Sequence, residues 1–83
     1  MIPKPGKLYK IYAENGIYVY KVSNNRREIK AILIPYHSVL MCIKVTKRNS
    51  QDNIKMGTIT FLFGKEIFIK EYITEIYGII ELA

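Results

Sequence analysis

Apolar residues recur at every second position through most of this chain, in short runs separated by polar or turn-forming clusters. A period of two is the mark of strands with one face on a core. Pro3, Pro5 and Gly6 form an opening turn. Asn15-Gly16 then separates alternating runs at 7–14 and 17–22. Asn-Gly is a strong hairpin signal, because a type I′ turn needs positive φ at both central residues. That turn sets Glu14 opposite Ile17, Tyr12 opposite Val19, Ile11 opposite Tyr20 and Lys10 opposite Lys21. One face then reads Tyr9, Ile11, Ala13, Tyr18, Tyr20, Val22 and is predicted to cover the core. The other carries Lys10, Tyr12, Glu14, Ile17, Val19 and Lys21.

A third run, 29–34, stops at Pro35, and Pro35-Tyr36-His37-Ser38 reads as a turn with Pro at its first central position. The run 39–46 is a fourth strand with Val39, Met41, Ile43 and Val45 on one face. A polar stretch, 47–53, leads to a fifth strand over 54–63. Gly64-Lys65 suits a type II′ turn into a returning strand, 67–69, with Ile67 and Ile69 inward and Phe68 outward. Tyr72, Ile73, Ile76 and Tyr77 fit a helical stripe, so one helical turn is predicted over 72–77, followed by a short strand over 79–82. A longer terminal amphipathic helix is the alternative. The expected core includes Ile43, Val45, Ile59, Phe61 and Ile67. The sum is one mostly β domain over 1–83: five to six antiparallel strands, closed into a small barrel because closure removes exposed edges.

Length agrees with a single domain. At 83 residues the chain has one modest core and no room for a cleft between domains. No apolar run approaches the roughly 18 residues of a membrane helix, and MIPKPGK lacks the apolar stretch of a signal peptide. Cys42 is the only cysteine and lies in an apolar run, which suits a reducing, cytoplasmic setting. The net charge of +6 is uneven. Residues 1–48 carry ten Lys/Arg against Glu14 and Glu28, whereas 49–83 carry three Lys against five acids. A basic front half attracts nucleic acid or an acidic protein face, or serves only to solvate the domain.

Chemistry finds little to work with. His37 and Cys42 stand alone in kind, one in a turn and one several residues along a strand, which does not favour a Cys–His pair. One Cys and one His are too few for a structural zinc site, and Glu66, Glu71 and Glu75 match no calcium loop. The five glycines are isolated, so no phosphate cradle is present. The expectation is a protein without enzymatic activity, cofactor or metal. Two surfaces are candidates for binding. Lys10 and Lys21 framing Tyr12, with Arg26, Arg27, Lys47 and Arg48 in the polar segments, offer charge and stacking to nucleic acid. Phe68 with Tyr72 and Tyr77 offers an aromatic patch to a protein.

KPGKLYKIY at 4–12, VLMCIKV at 39–45, TITFLFGKEIFI at 58–69 and the closing IIEL resemble the SH3-like small barrels encoded by tailed bacteriophages. The likeness is one of pattern and strand order over most of the chain, and it carries no functional residue across. AILIPYHS at 31–38 departs from the short polar connection such barrels have there. The resemblance implies a binding module: a phage accessory, host-takeover or virion component that acts by occupying a protein surface. A small basic barrel that binds nucleic acid is the alternative. RNA-binding signature strands are absent, which places the protein partner first.

Overall fold

The computed structural model describes residues 1–22, 28–48 and 54–82. Among these residues the chain is all strand and turn, with no helix. Seven antiparallel strands form one curled sheet, a half-barrel: β1 (Leu8–Ile11), β2 (Ile17–Val22), β3 (Ile29–Ile34), β4 (Val39–Arg48), β5 (Met56–Phe63), β6 (Glu66–Ile73) and β7 (Ile79–Glu81). The spatial order is β3-β2-β6-β5-β4-β1-β7. The sheet therefore keeps two edges, β3 and β7, where five to six strands and closure were expected.

The Asn15-Gly16 hairpin does not form. β1 lies between β4 and β7, and β2 lies between β3 and β6. Residues 12–16 instead connect β1 to β2 against Gly78. Tyr12 and Ala13 both donate their amides to the Gly78 carbonyl, at 2.8 and 3.3 Å, and Gly16 closes a turn on the Ala13 carbonyl at 2.9 Å. Glu14 and Asn15 are the central residues of that turn, and neither has positive φ; Gly16 alone does, at +77°. A type I′ turn is thereby excluded. A Cβ on Gly16 would collide with the Ile34 carbonyl oxygen, so this position demands glycine for contact as well as for conformation.

Freed from that register, β2 turns over. Ile17 and Val19 face the core, while Tyr18 and Tyr20 face solvent, the reverse of the expected faces. β6 is likewise inverted: Phe68 and Tyr72 are buried, and Ile67 is exposed. On β4, Leu40 and Cys42 point inward and Val39, Met41 and Ile43 outward. A bulge between Cys42 and Lys44 then shifts the alternation by one, which brings Val45 back onto the core. Tyr9, Ile11, Ile59 and Phe61 are buried as expected. The Gly64-Lys65 turn also stands, with positive φ at Gly64 (+62°) and not at Lys65, the type II′ signature. Pro35 occupies the first position of its turn rather than the second: Ser38 donates to its carbonyl at 3.2 Å, and His37 takes φ +71°.

No helical turn forms over 72–77. Tyr72 and Ile73 complete β6. The amide of Thr74 then donates to the Lys55 carbonyl, that of Glu75 to Ile73 and that of Ile76 to Met1. Three consecutive donors thus leave the local helical pattern, and Thr74 at φ +71° could not continue a helix. The short last strand is present as β7, paired with β1.

Candidate functional site

The sheet has two apolar faces, and that governs what the molecule can do. In a pleated sheet, residues directly opposite on neighbouring strands share a face. Ile67 stands opposite Leu62, Leu62 opposite Met41, and Met41 opposite Leu8. This row runs outward-facing across β6, β5, β4 and β1. Leu82, whose amide donates to the Leu8 carbonyl at 2.9 Å, continues it past β7. A second row carries Ala31 opposite Tyr20 and Tyr20 opposite Ile69. A third pairs Leu33 with Tyr18. Tyr18 is 59% exposed and Ile67 57%. Exposed apolar residues are ordinary one at a time. A belt running from one edge of a sheet to the other is not, and such patches mark interaction surfaces. Lys10, between Val39 and Ile80, Lys44, opposite Thr60, and Arg48, opposite Met56 and 3.6 Å from Glu71, are cations on this convex face, and Glu71 is an acid there.

The concave face holds the core: Tyr9, Ile11, Val19, Leu40, Ile59, Phe61 and Phe68 among others. The Lys4 amide donates to the Tyr9 hydroxyl at 2.6 Å, and that hydroxyl reaches Glu81 Oε1 at 3.3 Å. Burial raises the Tyr9 pKa above its ordinary value. Burial also raises that of the Cys42 thiol, which keeps it protonated and unreactive. Cys42 is fully buried, and His37 is exposed and tilted at 45° against Tyr36 with ring centroids 3.7 Å apart. The two are not brought together. Among the described residues no cluster of three or more His, Cys, Asp or Glu side chains could hold a metal ion.

Open grooves flank the core among the described residues, and two of them include expected site residues. One, of about 660 Å³, lies beside β6 and the 75–78 segment and includes Tyr72, Tyr77, Lys70 and Glu75. Lys70 is spent there as a strut, its ammonium donating to the Tyr18 carbonyl at 2.8 Å, and desolvation lowers its pKa. The other, of about 580 Å³, lies between the N-terminal segment and the ends of β4 and β5. Its cations are Lys4, Lys47, Arg48 and Lys55, its walls include Pro3, Pro5, Ile54 and Met56, and no carboxylate lines it among the described residues.

The expected site residues divide accordingly. Phe68 and Tyr72 are core residues, so the aromatic patch does not exist as a surface; only Tyr77, 73% exposed, is available. Lys10 and Lys21 are not opposite each other, since β6, β5 and β4 separate their strands. Lys21 instead faces Lys30 and bonds Glu66 at 3.0 Å. Tyr12 is exposed just beyond the end of β1. Lys47 and Arg48 do share a groove, with Arg48 3.6 Å from Glu71. Arg26 and Arg27 lie outside the described residues. Sequence reasoning missed the convex belt, although its signal was present: strands 17–22, 29–34 and 39–45 are apolar at both parities. No family model matches this chain, and no curated protein or solved structure does.

Proposed function

We propose that this chain is a non-enzymatic protein-binding module whose docking surface is the convex face of the sheet. One observation carries the reading: the unbroken outward row Ile67–Leu62–Met41–Leu8 across four consecutive strands. The fitting partner is an apolar protein surface bordered by carboxylates, which would meet Lys10 and Lys44. The likeness to small phage barrels that occupy a partner's surface supports the same reading. The test is affinity capture from the native cell with nuclease present, using the wild type, Ile67→Lys with Tyr18→Lys, and Lys47→Ser with Lys55→Ser. A protein held by the wild type and by the groove variant, and lost by the convex variant, bears the proposal out. Equal capture by all three refutes it.

A second reading has its own observation. Four cations in one groove, of which Arg48 is shared with Glu71 at 3.6 Å, suit a nucleic-acid backbone. Four phosphate contacts to a single strand predict a log–log salt slope near −3, at about −0.7 per contact. Anisotropy against generic single-stranded DNA and RNA measures it, and no binding at low salt ends this reading.

A further inference from the structure

We propose that β3 pairs with β3 of a second copy, antiparallel about a two-fold axis at Ala31, to make one continuous sheet. The inference goes beyond the convex-face reading, because a dimer joined at the edge leaves both faces open.

The sheet order places β3 at one end, with its outer row of backbone groups facing no other strand among the described residues. Proteins normally blunt such edges with proline, bulges, shortness or charge. The opposite edge, β7, is short, at three residues, and includes Glu81. β3 uses none of these devices well. It has six residues, IKAILI, with no proline and a single charge, Lys30. It pairs with β2 through six consecutive positions without a register shift, so it is not twisted away by a bulge. Ile29, Ala31 and Leu33 lie exposed on its convex side.

A two-fold axis normal to the sheet keeps convex side on convex side. Opposite residues must then have the same parity, which leaves four registers centred inside the strand. Lys30 opposite Lys30 sets like charges together, which is destabilising. Ile32 opposite Ile32 runs Ile29 against Pro35, and Leu33 opposite Leu33 runs Ala31 against it; Pro35 has no N–H to give. Ala31 opposite Ala31 sets Ile29 against Leu33 on the convex side and Lys30 against Ile32 on the other. It places the smallest side chain of the strand on the axis and joins the two convex belts. The sequence of β3 thus complements itself in one register, as a symmetric dimer requires. Six residues of strand bury less than the ~800 Å² per partner of a standard interface. The dimer is therefore weak, with Kd in the micromolar range or above. Because each chain carries +6, it tightens as salt rises.

Sedimentation velocity over a range bracketing roughly micromolar to near-millimolar dissociation constants tests this. Wild type is expected to pass from monomer to dimer. Ala31→Lys and Ala31→Glu, each placing like charges on the axis at an exposed position, should weaken association at least tenfold without moving the urea midpoint. An equimolar mixture should restore it, because Lys then faces Glu. Ile67→Lys should leave it unchanged. A wild type that stays monomeric throughout, single variants that dimerise like the wild type, or a mixture that fails to recover overturns the proposal. Loss of the dimer in Ile67→Lys also overturns it, by moving the contact to the convex face.

Discussion

Phe68 and Ile67 are neighbours in sequence on opposite faces of β6, and their substitution should differ by several kcal/mol. Phe68 is 3% exposed, stands opposite the fully buried Phe61, and tilts at 47° against Phe63 with ring centroids 6.5 Å apart. Truncating such a side chain loses its transfer energy and leaves a cavity, about 3–5 kcal/mol for Phe→Ala. Within that sum the aromatic contacts contribute about 0.5–1.5 kcal/mol. A domain this long has about 4–12 kcal/mol in all, at ~0.05–0.15 per residue. Phe68→Ala therefore removes a large part of the stability. Phe68→Leu gives a measurable lower step of about 2 kcal/mol, at ~0.8 per buried carbon lost. Ile67→Ala gives up only cross-strand contact on the solvent side and should cost less than about 1 kcal/mol. The assay is urea unfolding followed by far-UV circular dichroism. A lowering of Tm by about 4–8 °C per kcal/mol should accompany it. Equal costs at the two positions, or a larger one at Ile67, would refute the assignment of faces on β6, and with it the convex belt.

Two further outcomes follow from the geometry. Gly78→Ala should lose more stability than Gly6→Ala, as read by urea midpoints: both have positive φ, but a Cβ at Gly78 would lie 2.9 Å from that of Ala13, whereas Gly6 opens into free space. The buried Cys42 thiol has a folded-state pKa above its ordinary value of 9.0, so the native state holds its proton longer than the unfolded chain does. Its contribution is fully present below the unfolded pKa and is lost as pH rises through the folded one. Urea midpoints measured upward from pH 8 should therefore fall less steeply in Cys42→Ala than in the wild type.

Strand positions were legible in the sequence because turn residues and apolar runs mark them whatever the topology. Six of the seven strands coincide with apolar runs, and β7 follows the expected 79–82 closely, whereas β6 continues from the expected 67–69 through Ile73, into the stretch read as a helical turn. Faces were legible only where one parity was polar. β1, with Lys10 between Tyr9 and Ile11, was read correctly. β2 reads IYVYKV, apolar at both parities, so the alternation gave no vote. The Asn-Gly signal decided instead, and it decided wrongly. β1 satisfies its backbone on β4 and β7, a choice made by strands far along the chain. The Phe68 site failed for the same reason, since IFIK is apolar on both sides. The groove cations Lys47 and Arg48 were visible as charges, but their neighbours Lys4 and Lys55 meet them only through the fold.

A sheet apolar on both sides has one face that folding needs and one that it does not, and the two can be separated. Tyr18 and Leu33 are a directly opposed pair on the convex face, and Ile67 lies on the same face. Replacing all three by Thr leaves strand-favouring β-branched residues at each position, and opposed Thr side chains can hydrogen-bond across the pair. The loss should stay within about 2 kcal/mol, from cross-strand terms of ~0.2–1 each. Solubility should change far more. At pH 7 the charge of +6 keeps copies apart, but that protection vanishes near the pI of about 9.5. There the wild type should associate through its exposed apolar surface, whereas the triple variant should stay dispersed. Light scattering from pH 7 to 9.5, with circular dichroism to verify the fold, makes the comparison. A variant that unfolds at neutral pH would mean that the convex side chains support the fold after all. A variant that scatters as strongly as the wild type at pH 9.5 would mean that another surface, β3 foremost, carries the association.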